Sequence, residues 1–166
     1  MWKPLVITFF VGALLGIVGG VALGIFVYPY IFLADIVATE KVPEKAPGQP
    51  ERKVLARGTF IHANPSDPIH YGSGTVTVFS DTVRLEPDFA VGPGPKYKVL
   101  LHTAKGIKSS SDVTAARYVD LGPLRAFKGS QNYAVPAELR LADFQSVVIW
   151  CEAFGVLISP ADLAAR

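Results

Sequence analysis

The chain has 166 residues, half of them hydrophobic, and a mean hydropathy of +0.34, which is too apolar for an ordinary soluble domain of this length. Its 16 Lys and Arg against 14 Asp and Glu are interspersed without a basic stripe, which excludes nucleic acid as a partner. A single cysteine excludes an intramolecular disulfide, a CxxC motif and a cysteine-rich zinc site.

The excess hydrophobicity sits at the amino end. Leu5 to Ala34 carries no charge, which exceeds the ~7–15 apolar residues of a signal-peptide core and suffices for a membrane helix of ~20 residues. Residues 1–34 therefore read as a membrane anchor whose span runs from Leu5 to Tyr28. Trp2 at one end and Tyr28, Tyr30 and Phe32 at the other are placed as interfacial aromatics, and Pro29 is where the regular helix should stop. Gly12, Gly16, Gly20 and Gly24 recur every fourth residue, a stripe that lets a second helix approach. One reading is a homodimer through that stripe; the other is the general abundance of glycine in membrane helices.

Residues 35–53 are charged and carry Pro43, Pro47, Gly48 and Pro50, and read as a stalk holding a domain off the bilayer. Lys3 on one side of the span faces Lys41, Lys45, Arg52 and Lys53 on the other, a count that by itself would keep the C-terminal part in the cytoplasm.

From Val54 the pattern changes to short β runs separated by turn residues, the signature of an all-β sandwich or barrel over residues 54–160 with a tail at 161–166. Strands are expected at Val54–His62, Gly74–Phe79, Val83–Glu86, Phe89–Val91, Tyr97–His102, Tyr118–Leu121 and Gln131–Val135. Asn64 to Pro68 and Gly92 to Pro95 read as turns, Lys105–Ala116 as a mobile polar loop, and Leu141–Phe144 as one helical turn. The densest apolar run after the anchor is Ser146–Ile158, read as strands Ser146–Cys151 and Phe154–Ile158 bent at Gly155. In a regular strand Val148, Trp150 and Glu152 share one face and Val147, Ile149 and Cys151 the other, so with Glu152 toward water Cys151 points inward.

Few residues nominate chemistry. His70 enters the glycine-bearing stretch Tyr71–Gly74, where it could ligate a metal or haem or cap a turn. His62 and His102 lie on strands without ligand spacing. Gln131 and Asn132 could contact a ligand or satisfy buried backbone in a long turn. No nucleophile elbow, phosphate loop or paired-carboxylate spacing is present, so nothing in the sequence supports an enzyme with its own substrate pocket.

Four blocks carry a family resemblance: Gly58–Ala63 (GTFIHA), His70–Val78 (HYGSGTVTV), Leu121–Pro136 (LGPLRAFKGSQNYAVP) and Ser146–Leu157 (SVVIWCEAFGVL). Together they resemble the DM-thirteen, or electron-transfer DM, domain, which also occurs in Skeletor-like proteins beside the DOMON domain. The resemblance implies a DOMON-like or jelly-roll-like β-sandwich outside the cytoplasm on a single-pass anchor in the cell membrane. It further implies redox chemistry at Cys151, as a free thiol or as the attachment point of a prosthetic group such as haem, with a separate redox protein as partner.

Chemistry constrains that implication. A lone thiol has no intramolecular dithiol couple, and the adjacent Glu152 disfavours a thiolate if it lies close. Thiolate ligation of haem iron is chemically reasonable, and an inert core cysteine is a third reading. Two functions stand side by side: a membrane-anchored electron-transfer domain acting through Cys151, and a non-catalytic module that binds a partner protein or glycan with Cys151 structural.

Overall fold

The computed structural model describes residues 2–42 and 53–165, apart from the side chain of Phe26. Pro43, Lys45, Pro47, Gly48, Pro50 and Arg52, on which part of the stalk and orientation readings rested, lie outside the described residues.

The uncharged amino-terminal run forms helix α1, Trp2–Tyr28. At ~1.5 Å per residue its 27 residues reach about 40 Å, long and apolar enough to cross a membrane. The regular helix ends before Pro29, which has no N–H to continue the ladder, and the chain widens into a π-helical turn at Pro29–Leu33.

Among the described residues eleven strands form one curled sheet. They are β1 (Val37–Thr39), β2 (Val54–Phe60), β3 (Gly72–Ser73), β4 (Thr75–Phe79), β5 (Thr82–Leu85), β6 (Ala90–Val91), β7 (Tyr97–His102), β8 (Tyr118–Pro123), β9 (Lys128–Ala134), β10 (Ser146–Cys151) and β11 (Val156–Ala165). The order across the sheet is β3-β6-β9-β5-β4-β2-β11-β10-β7-β8, with β1 branching onto β9. All pairings are antiparallel except β1 with β9. The curl is sandwich-like: Phe60, Val76, Leu85, Val99, Tyr133, Ile149 and Ile158 come from seven strands and share one core. Phe60 packs on Phe89 at 5.2 Å and Tyr97 on Phe127 at 5.7 Å, both edge to face, the favoured geometry for aromatic pairs.

Three expectations are corrected. First, residues 35–42 are not a free stalk, because Val37–Thr39 pairs in parallel with Lys128–Ser130 only three residues after the π-helical turn. Gly129, at φ +87, permits this approach: a Cβ there would run into the Ala38 carbonyl oxygen. Second, Ala161 and its followers are not a tail, since Ala161–Ala165 pairs residue by residue with Phe60 back to Ala56 of β2. Pro160 and Asp162 in the middle of that strand hid its continuation from the sequence pattern.

Third, the segment 105–116 is not a mobile loop but carries helix α2, Ser110–Ala115. The Asp112 carboxylate accepts the N–H groups of Lys108 at 3.0 Å and Ser109 at 2.8 Å, tying off the start of the helix. Those N–H groups, that of Lys108 foremost, hold the Asp112 carboxyl below its ordinary value. The helix then buries Val113 with Leu100, Ile107, Val148 and Leu157 in a second cluster. Thus both faces of β10 are covered, and Val148 is as buried as Val147.

Candidate functional site around Cys151

Cys151 closes β10, opposite Tyr97 of β7 and Val156 of β11. It points into the main core, as strand alternation requires, and is 2% exposed. Its thiol donates to the Pro95 carbonyl at 3.3 Å. Burial pushes the thiol pKa up, and the backbone N–H groups of Phe154 and Ala153 oppose that rise. Glu152 is exposed and meets Lys98 at 3.8 Å.

Directly after Cys151 the chain leaves the core. Residues 152–155 form a turn exposed along its whole length, held by the Gly155 N–H on the Cys151 carbonyl at 2.9 Å and the Glu152 N–H on the Lys96 carbonyl at 3.0 Å. Lys96 itself sits at φ +49, the one non-glycine with a left-handed backbone among the described residues. Strand end, exposed turn and strained turn therefore meet at one thiol.

Tyr97, the cross-strand neighbour, is the residue sequence reasoning missed here. It is 4% exposed, its hydroxyl rests against Gly94 where no Cβ could stand, and among the described residues that hydroxyl has no hydrogen-bond partner. Burial, and after it the nearby Cys151, raises its pKa. The glycine and prolines just before an aromatic strand were the available signal.

Pro95, Tyr97, Ala153 and Phe154 also form part of one wall of a crevice of about 1030 Å³. The opposite wall is the end of α1 and the π-helical turn, including Gly24, Tyr28 and Phe32. Of the glycine stripe, Gly24 alone borders this crevice, and a Cβ on Gly12, Gly16, Gly20 or Gly24 would meet nothing within 4 Å.

The histidines are placed apart from this site. His70 Nδ1 lies 2.6 Å from the Asp67 carboxylate, which also accepts the backbone N–H groups of Ile69 and His70. Led by the His70 bond, these contacts lower the Asp67 pKa to about 2. His62 meets the Asp67 carbonyl at 2.7 Å. His102 is fully buried, its Nδ1 accepting from Ala104 N–H and its Nε2 donating to the Val113 carbonyl, each at 3.0 Å. Among the described residues no cluster of three potential metal ligands occurs.

A haem does not fit the two candidate ligands as placed. Cys151 lines neither the crevice nor the small pocket and donates its hydrogen bond to a carbonyl, and His70 borders that small pocket with its Nδ1 committed to Asp67. Gln131 is likewise occupied: its Oε1 accepts from Arg125 N–H, Ala126 N–H and the Tyr133 hydroxyl, and its Nε2 donates to the Ala126 carbonyl. It satisfies a long turn rather than facing a ligand. Tyr133, buried above that bond, has its pKa pushed up to about 12.

A polar lock at Glu40 fastens the segment that follows α1 and β1 to the rest of the domain. Arg125 donates to both oxygens of Glu40, at 2.8 Å and 3.0 Å, and the Asn132 N–H reaches the same carboxylate at 2.8 Å. The Glu40 carbonyl accepts from Arg84 at 3.0 Å and Ser130 at 2.8 Å. Burial pulls the Glu40 pKa up, but Asn132 and Arg125 outweigh it and hold the carboxyl below its ordinary value. Asn132 thus serves the lock, a role that its sequence neighbourhood did not reveal.

No curated protein and no solved structure matches the chain. A family model described as Electron transfer DM13 matches residues 65–163, which take in the Asp67 turn, the crevice wall of the domain and Cys151. That match covers more than half of the sequence, and the chain therefore belongs to the Electron transfer DM13 family.

Proposed function

We infer that this protein is a membrane-anchored, extracytoplasmic redox domain in which Cys151 is the reacting group. The observation that carries the reading is the place of the thiol: it ends β10, donates to the Pro95 carbonyl at 3.3 Å, and is followed directly by a turn exposed along its whole length. Closed, that turn keeps the thiol protonated by desolvation. Opened, it admits water and lifts the desolvation that holds the thiol protonated, which favours the thiolate.

The chemistry available to a lone thiol is exchange with a disulfide. The Cys151 thiolate attacks one sulfur of a disulfide on a partner protein, a new S–S bond forms, and the departing sulfur leaves with the electron pair and takes up a proton. The reverse attack by a second thiol restores Cys151. Family membership supports the redox assignment, and the length of α1 supports the anchor.

The test uses the full-length protein equilibrated with oxidised glutathione and read by intact mass. One glutathione adduct, reversed by dithiothreitol and missing in Cys151→Ser, is the expected result. No adduct on the folded protein sinks the redox reading and leaves the second one, a module that binds a partner protein or glycan with Cys151 structural, which the 2% exposure of this residue favours. Self-association through the glycine stripe is checked separately by cross-linking in membranes, where Gly16→Leu with Gly20→Leu removes a dimer that depends on it.

A further inference from the structure

The crevice between α1 and the domain has three properties that together specify a ligand. Its position comes first: one wall is the carboxyl-terminal end of the only described helix able to cross a membrane, so the mouth opens at the depth where a bilayer meets water. Its surface comes second, because Tyr28, Phe32, Tyr97, Phe127 and Phe154 all line it, and aromatic side chains accept a flat ring, by offset-stacked or edge-to-face contact, better than a flexible chain. Third is the Tyr97 hydroxyl, a buried donor without a partner among the described residues. An unmet hydroxyl in an apolar wall is costly unless a ligand atom accepts its hydrogen bond.

A flat ring, an apolar body and an acceptor oxygen, delivered from the bilayer, describe a lipid-soluble quinone. We propose that the crevice binds a membrane quinone, its ring between the aromatic side chains, one carbonyl accepting from Tyr97 and its isoprenoid tail lying along α1 toward the lipid. The volume of about 1030 Å³ holds a ring and the first part of such a tail, and matches the upper range of natural ligand sites, ~300–1,000 Å³. The choice of a quinone among flat carbonyl compounds rests on the redox reading given above. The ligand would lie one residue from Cys151, since Pro95, whose carbonyl accepts the thiol's hydrogen bond, borders the crevice, as do Ala153 and Phe154 of the turn that follows the cysteine.

The experiment is a calorimetric titration of the full-length protein in detergent micelles with decylubiquinone, performed on Cys151→Ser so that no thiol reaction enters. Saturable binding at one site is expected. Tyr97→Phe, which keeps the ring and removes only the hydroxyl, weakens it roughly five- to tenfold. Gly24→Leu, which fills the crevice from the helix side where a Cβ meets nothing within 4 Å, abolishes it. Equal affinity in wild type and Tyr97→Phe overturns the proposal, as does displacement of the probe by phosphatidylcholine at comparable concentration, which marks a plain lipid groove. Absence of saturable binding overturns it too. Because the titration involves no glutathione adduct, the quinone site and the Cys151 thiol stand or fall separately.

Discussion

Alkylation of Cys151 by iodoacetamide distinguishes a gated thiol from an inert one, and its rate follows from the bonds that cover the sulfur. Three hydrogen bonds must break: Gly155 N–H to the Cys151 carbonyl, Glu152 N–H to the Lys96 carbonyl, and the thiol to the Pro95 carbonyl. At about 1 kcal/mol each, opening costs about 3 kcal/mol, so the open form is populated at roughly one part in a hundred. Global unfolding of a domain costs ~5–15 kcal/mol, which would expose the sulfur at most about once in several thousand molecules. Labelling followed by intact mass should therefore run about a hundredfold slower in the native protein than in guanidinium. Below the unfolding transition the rate should be nearly independent of denaturant, because a four-residue turn exposes little new surface when it opens. A labelling rate that rises with denaturant in step with global unfolding refutes the gating argument and makes Cys151 a core residue. A native rate equal to the unfolded one refutes the burial of the sulfur.

Gly129→Ala should release β1 from β9, since the new methyl group meets the Ala38 carbonyl and the backbone is left-handed at φ +87. The expected cost is at least ~1–2 kcal/mol from the backbone alone, read as a lower urea midpoint and as new proteolytic cleavage within residues 35–42. Lys96→Gly removes a left-handed non-glycine backbone at φ +49 and should stabilise the domain by up to about 1 kcal/mol, a gain that thermal melting measures. Asp67 has its pKa depressed to about 2, so its contribution is complete above the unfolded carboxylate value near ~4 and is lost as pH falls through about 2. With the side chain 28% exposed, the loss is about 1–2 kcal/mol, and Asp67→Asn should flatten that part of the stability profile in urea titrations.

The strands and the inward aim of Cys151 were legible because apolar alternation at Val147, Ile149 and Cys151 is a local signal with period two. Pro29 likewise announced the end of α1 by its own chemistry. What stayed hidden depends on partners far along the chain. β1 and Glu40 look like linker until Lys128–Asn132, about ninety residues later, supplies their hydrogen bonds. The carboxyl end of β11 looks like a tail until β2 pairs with it. Helix α2 was the exception, a local feature whose Ser109 and Asp112 spacing was present in the sequence but masked by the run Ser109–Ser111 that begins it. As for the site, Cys151 was findable by uniqueness, whereas Tyr97 and the crevice arise only when the helix end and the domain are brought together.

The short junction between α1 and β1 also sets how a partner can arrive. Three residues, Ala34 to Ile36, separate the π-helical turn from a strand already paired into the sheet, a reach of at most about 10 Å. With α1 in a bilayer, the domain cannot sweep out a hemisphere above its anchor as a flag on a long pole would. It travels as a fixed relief on the membrane surface, presenting the same side to the lipid at all times. Encounters are then governed by lateral diffusion in two dimensions, and the molecules best placed to meet Cys151 or the crevice are those that share the plane of the membrane.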